Sequence, residues 1–500
     1  MKSKKLFVVI FLLVLMSMAG SGCVYNQVVP AVSSKTVDEP PKQEGTPSAS
    51  PTPAAADSGS TAQGQAQDQG TDDRIVYVSA SKLKVREDAK ADAKPVDTLI
   101  KGAAVSKLEE KMDEKNALWY KVTYKNLDKD VEGWVSAEYT VKDRTELLSD
   151  SLKTLDFTPQ DKTYEYPDNP RVQAKGIYVT IYSASNDRLD RLIEMTKRTG
   201  INTFVVDVKD DSGYMLFHTK AAEQYSPDAN KSATIKDIGA FMKKLKDNNI
   251  YAVARIVSFK DPTYSKHHPE KAIIYRDTGK PFTNSDGLIW ASAHDRTLWE
   301  YNVAVAKEAA EAGFNEIQFD YVRFPASNGG KLDKSLDYRN TTGESKPETI
   351  QNYLKYAREQ LSPLHVYIAA DIYGLVGSVS DDMSLGQYWE AVSNIVDYVC
   401  PMMYPSHYAN GTYGLPVPDA YPYETVFNSS KDSVARNKNI KTPGTIRPWI
   451  QDFTAPWVKG HIKYSDKQVE DQIKALQENG VTEFLLWNAG NGYSEGAVPK

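Results

Sequence analysis

From residue 175 onward the chain repeats one pattern eight times, a short strand-like run followed by a helical stretch or a loop. The runs cover residues 175–182, 201–209, 250–259, 316–324, 365–373, 397–404, 445–453 and 482–488. Amphipathic stretches at 187–199, 235–247, 297–312, 347–361 and 466–478 lie between them. Gly200, Gly313 and Gly480 stand where helix C-caps belong. Strands alternating with helices require a parallel sheet, and eight such units suit closure into a barrel. The expected fold class is α/β, a (β/α)8 TIM barrel over residues 175–496.

The alternation within each run supports closure over an open sheet. In the second run Phe204, Val206 and Val208 share one face, and Val205, Asp207 and Lys209 the other. In the fifth, Val366, Ile368, Ala370 and Ile372 oppose Tyr367, Ala369, Asp371 and Tyr373. An aliphatic face suits packing on helices, and a mixed polar and aromatic face suits a barrel interior. An open doubly wound sheet is more often apolar on both faces.

Chemistry in such barrels is done at the carboxyl ends of the strands. The fourth run carries Glu316, Gln318 and Asp320 on one face and ends with Asp320, Arg323 and Pro325. The other ends present Tyr182, then Asp207 and Lys209, Arg255, Asp371 with Tyr373, and Tyr404 followed by His407 and Tyr408. Arg447, Trp449, Gln451, Trp487 and Asn488 complete the set. No phosphate-binding glycine loop or nucleophile elbow is present, and His267-His268 lacks further ligands at metal-site spacing. No cofactor and no metal are expected.

Paired carboxylates are what cleavage of a glycosidic bond uses. Asp320 and Asp371, at equivalent depth on adjacent strands, form the expected catalytic pair, with Asp207 as a third candidate. Lys209, Arg255, Arg323, Tyr182, Tyr373, Tyr404, His407, Arg447, Trp449, Trp487 and Asn488 are expected to contact substrate. Asp452 has the opposite parity to Trp449 and ranks below them. The competing reading makes these charges a structural ion network, in a barrel that binds glycan without cleaving it.

The N-terminal third is organised differently. A basic start, Met1 to Lys5, precedes an apolar run to Met16, and Gly20-Ser21-Gly22 leads into Cys23. This suits a lipoprotein signal peptide over residues 1–22 with Cys23 acylated, although Gly20 replaces the usual leucine. Ordinary secretion and an uncleaved anchor are the alternatives. Residues 23–73, rich in Pro, Ala, Ser, Gly, Gln and Asp, are expected to be a disordered tether. Residues 74–142 show short alternating strands of a small all-β barrel, and 143–174 form a connecting segment.

A formal charge of −6 gives no reason to expect a nucleic-acid partner. Two cysteines, Cys23 and Cys400, indicate no disulfide framework. Thirty tyrosines and eight tryptophans make aromatic faces available for sugar stacking.

Two resemblances extend this reading. The pairs W-Y-K-V at 119–122 and G-W-V-S at 133–136 resemble the bacterial SH3-like domain, whose members often bind cell-wall peptides. That implies peptidoglycan as a partner, with a spacer role as the alternative. The stretches G-I-Y-V-T at 176–180, F-V-V-D-V-K-D-D-S-G at 204–213 and F-D-Y-V-R-F-P at 319–325 resemble the glycoside hydrolase domain of many bacterial exported proteins. A-A-D-I-Y-G at 369–374 and P-M-M-Y-P-S-H-Y at 401–408 carry the same likeness. It is similar to the wider set of (β/α)8 glycosidases related to α-amylases and α-galactosidases. The resemblance implies a retaining mechanism with Asp320 as nucleophile. Amylase-like enzymes place a glutamic acid after strand 5, where this chain offers Asp371 as acid/base. Together these expectations describe an exported enzyme held at the extracellular face of the cell membrane through acylated Cys23 in the lipid bilayer, acting on wall or extracellular polysaccharide.

Overall fold

The computed structural model describes residues 74–80, 82–126 and 129–500, which divide into two compact units between Ser149 and Asp150. The expected signal peptide, Cys23 and the tether lie outside the described residues.

The first unit is an antiparallel sheet of seven strands. In chain order they are Ile75–Val78, Lys82–Arg86, Pro95–Ile100, Ala104–Met112, Leu118–Asn126, Lys129–Ser136 and Thr140–Val141. Every second residue of the first two strands is buried, so Val76, Val78, Leu83 and Val85 enter the core while Lys82 and Lys84 face water. Leu99, Val105, Tyr120, Val122 and Val135 complete that core. Trp119 is buried and donates Nε1 to Asp113 Oδ2 at 3.1 Å. Gly133 allows close strand approach, since a Cβ there would meet Val85 Cγ1 at 2.5 Å.

The second unit is the barrel. Its strands 1 to 6 are Lys175–Val179, Thr203–Lys209, Tyr251–Val257, Glu316–Asp320, Tyr367–Tyr373 and Tyr398–Met402. Strand 7 is split into Thr445–Ile446 and Trp449–Gln451, and strand 8 is Phe484–Trp487. Each pairs in parallel with the next, and strand 8 pairs with strand 1, which closes the ring. Alternation then separates two cores. Val205, Tyr251, Val253, Tyr367, Ala369, Tyr398 and Leu485 fill the barrel, while Phe204, Val206, Ile317, Phe319 and Ile368 lie under the helices.

Helices form at Arg188–Arg198, Ile238–Asp247, Arg296–Ala312, Lys346–Leu361 and Asp466–Glu478, close to the five amphipathic stretches. Pro422–Asn437 is a further helix that hydrophobic periodicity does not announce. Its buried face carries Ser429, Ser430 and Ser433, and the last two donate Oγ to carbonyls four residues back, at 2.7 and 2.8 Å. That face is dry without being apolar.

Residues 150–174 belong to the barrel unit. Lys162 Nζ donates to the carbonyls of Ser393, Val396 and Thr442, and Asn169 Nδ2 to those of Asn315 and His365. These acceptors lie just before strands 4 to 7, so the segment covers the amino end of the barrel.

Candidate active site

Strands 2, 3 and 4 meet through Arg255. It pairs in register with Asp207 on one side and Gln318 on the other. Its side chain points inward and is 1% exposed. Nη1 donates to Asp207 Oδ1 at 2.5 Å, Nε and Nη2 donate to Asp320 Oδ2 at 2.9 and 2.6 Å, and Nη2 also reaches Asp211 Oδ1 at 2.9 Å. Tyr178 OH donates to Asp207 Oδ2, and Tyr321 N donates to Asp320 Oδ1, each at 2.5 Å. Asp320 therefore accepts three N–H bonds from two residues, surroundings that complement a negative charge.

Asp371 sits differently. Phe319 pairs with Ala370, so the residues that follow, Asp320 and Asp371, leave neighbouring strands at one level. Asp371 Oδ1 accepts from Trp449 Nε1 at 2.7 Å and from Gln318 Nε2. Burial, and next the charge of Asp320, push its carboxyl well above the usual range. Burial also pushes Asp207 up to about 7, against the opposing pull of Arg255 and Tyr178. At half-exposed Asp211 burial raises the carboxyl, but Arg255 and Lys260 outweigh it and bring it to about 2. One mouth thus holds a carboxyl that burial drives upward beside one ringed by N–H donors, the contrast of surroundings on which acid and nucleophile roles depend.

Aromatic rings occupy the opposite side of the mouth. Trp487 stacks on Tyr178 with centroids 4.1 Å apart, and Tyr404 lies 6.3 Å from Trp487. Exposed His407 is edge-on to Tyr404 at 5.2 Å. Trp449 stands perpendicular to Trp487 at 5.4 Å. Arg323 Cζ lies over the rings of Trp290, Tyr321 and Tyr373, 4.7, 5.2 and 4.9 Å from their centroids. Tyr321 between Asp320 and Arg323 takes φ +48°, a left-handed conformation costly for a bulky side chain.

Four of the expected contacts lie elsewhere or do other work. Lys209 is fully buried and faces outward, donating Nζ to Asp261 at 2.7 Å and to Asn302 at 2.6 Å. The register shift that pairs Ile256 with Lys209 skips Val208, and this bulge reverses the alternation. Arg447 is inside the barrel but at its far end, bonded to Glu316 at 2.8 and 2.9 Å and to Glu483 at 2.8 Å. Pro448 separates it from the part of strand 7 that reaches the mouth. Tyr182 is 70% exposed on a short helix, Ile181–Ala184, because strand 1 ends at Val179. Asn488 braces a turn, donating to Asp452 O at 2.6 Å and accepting from Gly490 N at 2.8 Å.

Tyr178, Asp211, Lys260 and Gln318 join the site without having been among the expected catalytic or substrate-contacting residues. Tyr178 and Gln318 were visible as inward-facing members of runs 1 and 4. Asp211 and Lys260 lie past the strand ends, where alternation carries no information.

The comparisons with known proteins agree on the two units. The family described as "Putative glycosyl hydrolase domain" matches residues 176–493, and the bacterial SH3 domain matches residues 81–141. No curated protein matches. Among solved structures, a hypothetical protein from Ruminiclostridium thermocellum ATCC 27405 is 38% identical over 39% of this chain and 96% of its own, with a TM-score of 0.34. The PgaB (BpsB) glycoside hydrolase domain from Bordetella bronchiseptica is 13% identical over 64% of this chain and 94% of its own, with a TM-score of 0.45. The spore cortex-lytic enzyme SleL of Bacillus megaterium QM B1551 is 12% identical over 66% and 74%, with a TM-score of 0.39.

Proposed function

The chain belongs to the "Putative glycosyl hydrolase domain" family, and on that premise we propose that it is a retaining glycosidase acting on cell-wall or extracellular polysaccharide. Asp320 is the nucleophile that attacks the anomeric carbon. Asp371 protonates the departing oxygen, then takes a proton from the water that releases the sugar. Arg255 holds Asp320 in place and complements its charge, and Asp207 anchors Arg255. Tyr404 and Trp487 offer faces for sugar rings. The observation that carries this reading is the unlike surroundings of Asp320 and Asp371 at one level on neighbouring strands. In the same proposal the protein is exported and tethered through acylated Cys23, and its SH3 domain binds wall peptide.

The test is reducing-end release from a panel of wall and capsular polysaccharides by the full chain, Asp320→Asn and Asp371→Asn, with folding checked by circular dichroism. Each substitution is expected to lower kcat by about 10²–10⁴-fold. The first-formed anomer, read by NMR, should keep the configuration of the substrate. Undiminished release by Asp320→Asn would remove the nucleophile assignment. Inversion would recast Asp320 as a base acting on water. Glycan binding without release by the unaltered chain would leave a barrel that binds only.

A further inference from the structure

Six lysine and arginine side chains are buried among the described residues: Lys209, Arg255, Lys260, Arg323, Arg358 and Arg447. Five have a carboxylate within 4.0 Å. Their partners are Asp261 for Lys209, Asp320 for Arg255, Asp286 for Lys260, Asp397 for Arg358 and Glu316 for Arg447. Arg323 is the exception. It is 6% exposed, and its one side-chain hydrogen bond among the described residues runs from Nη1 to Phe324 O at 3.0 Å. A guanidinium has five N–H donors. The rings of Trp290, Tyr321 and Tyr373 lie within 5.2 Å of its Cζ, and apart from the Phe324 carbonyl its N–H groups have no protein acceptor among the described residues. A buried cation is normally matched by an anion, and a guanidinium edge fits a carboxylate with two parallel bonds. Arg323 also stands at the catalytic end, three residues past Asp320 and against Tyr373, two residues past Asp371.

We propose that Arg323 and its three rings form a subsite for the carboxylate of an acidic sugar, so that the substrate is an anionic polysaccharide. This rests on the glycosidase reading above. The carboxylate has two chemical sources, the oxidised C6 of a hexuronate or a carboxyethyl ether on a ring hydroxyl.

Titration calorimetry on the full chain tests the subsite, with Asp320→Asn in the background to prevent turnover. The probes are glucuronate-containing oligosaccharides, the same compounds with C6 reduced to the alcohol, and N-acetylglucosamine oligosaccharides bearing a 3-O-carboxyethyl group or its methyl amide. One acidic probe is expected to bind about 10- to 100-fold more tightly than its neutral counterpart, and which one identifies the source. Adding Arg323→Gln should erase that preference while leaving the neutral probe within about threefold, and Arg323→Lys should restore part of it. Equal binding of acidic and neutral forms, or equal weakening of both by Arg323→Gln, would overturn the subsite. Acid-dependent binding by a chain that releases no reducing ends would overturn the glycosidase reading and leave the subsite standing.

Discussion

Asp207 shows how burial and pairing compete at a single side chain. It receives Arg255 and Tyr178, yet burial dominates and its carboxyl rises to about 7 from an ordinary 3.8. The folded chain therefore holds this proton more tightly than the unfolded one. The associated stability is fully present below about pH 4 and is lost as pH rises toward 7. Urea unfolding across that window should show a decline of a few kcal/mol that is missing from Asp207→Asn, after the slopes of the two proteins are subtracted. Parallel slopes would mean that Asp207 is ionised throughout. Its inward placement was legible from Val205 and Phe204 on either side of the alternation. Its protonation was not, because Arg255 and Tyr178 come from other strands.

The misplaced residues have one cause at the level of the strand. Alternation locates side chains only while the ladder is regular, and each error falls where the ladder bends or stops. A bulge turned Lys209 outward, an early end put Tyr182 on a helix, and Pro448 left Arg447 at the barrel floor. Interior and exterior faces of strands 2, 4 and 5 were readable because those strands stay regular up to Asp207, Asp320 and Asp371. The helix Pro422–Asn437 escaped for a related reason, since serine hydroxyls folded back onto their own backbone leave no apolar stripe. Arg447 gives the clearest test. Arg447→Met strands Glu316 and Glu483 without their counter-charge and should cost about 3–5 kcal/mol in denaturant unfolding. Activity per folded molecule should be unchanged. A selective rise in KM would instead return Arg447 to the substrate site.

For the whole molecule, the two folded units were legible because each announces its own period, two in the small sheet and an alternation of two and 3.6 in the barrel. Among the described residues no helix is long and apolar enough to cross a membrane, and the attachment proposed above is through Cys23. Cys23→Ser should move the protein from the membrane fraction to the medium or periplasmic extract and abolish incorporation of labelled fatty acid. Unchanged fractionation and labelling would exclude acylation at this position.

Arg255 fastens three strands by directional bonds, and the facing side of the mouth is built from rings. Beyond Tyr404 the rings continue through Phe453 at 6.1 Å to Trp457, which is 41% exposed, on loops that carry none of the four acids. A bond network tolerates little exchange of its members, whereas stacked rings accept substitution and insertion. If the proposed function holds, descendants of this chain can change the glycan they recognise by altering the loops after strands 6 and 7, with the proposed reaction centre inherited intact.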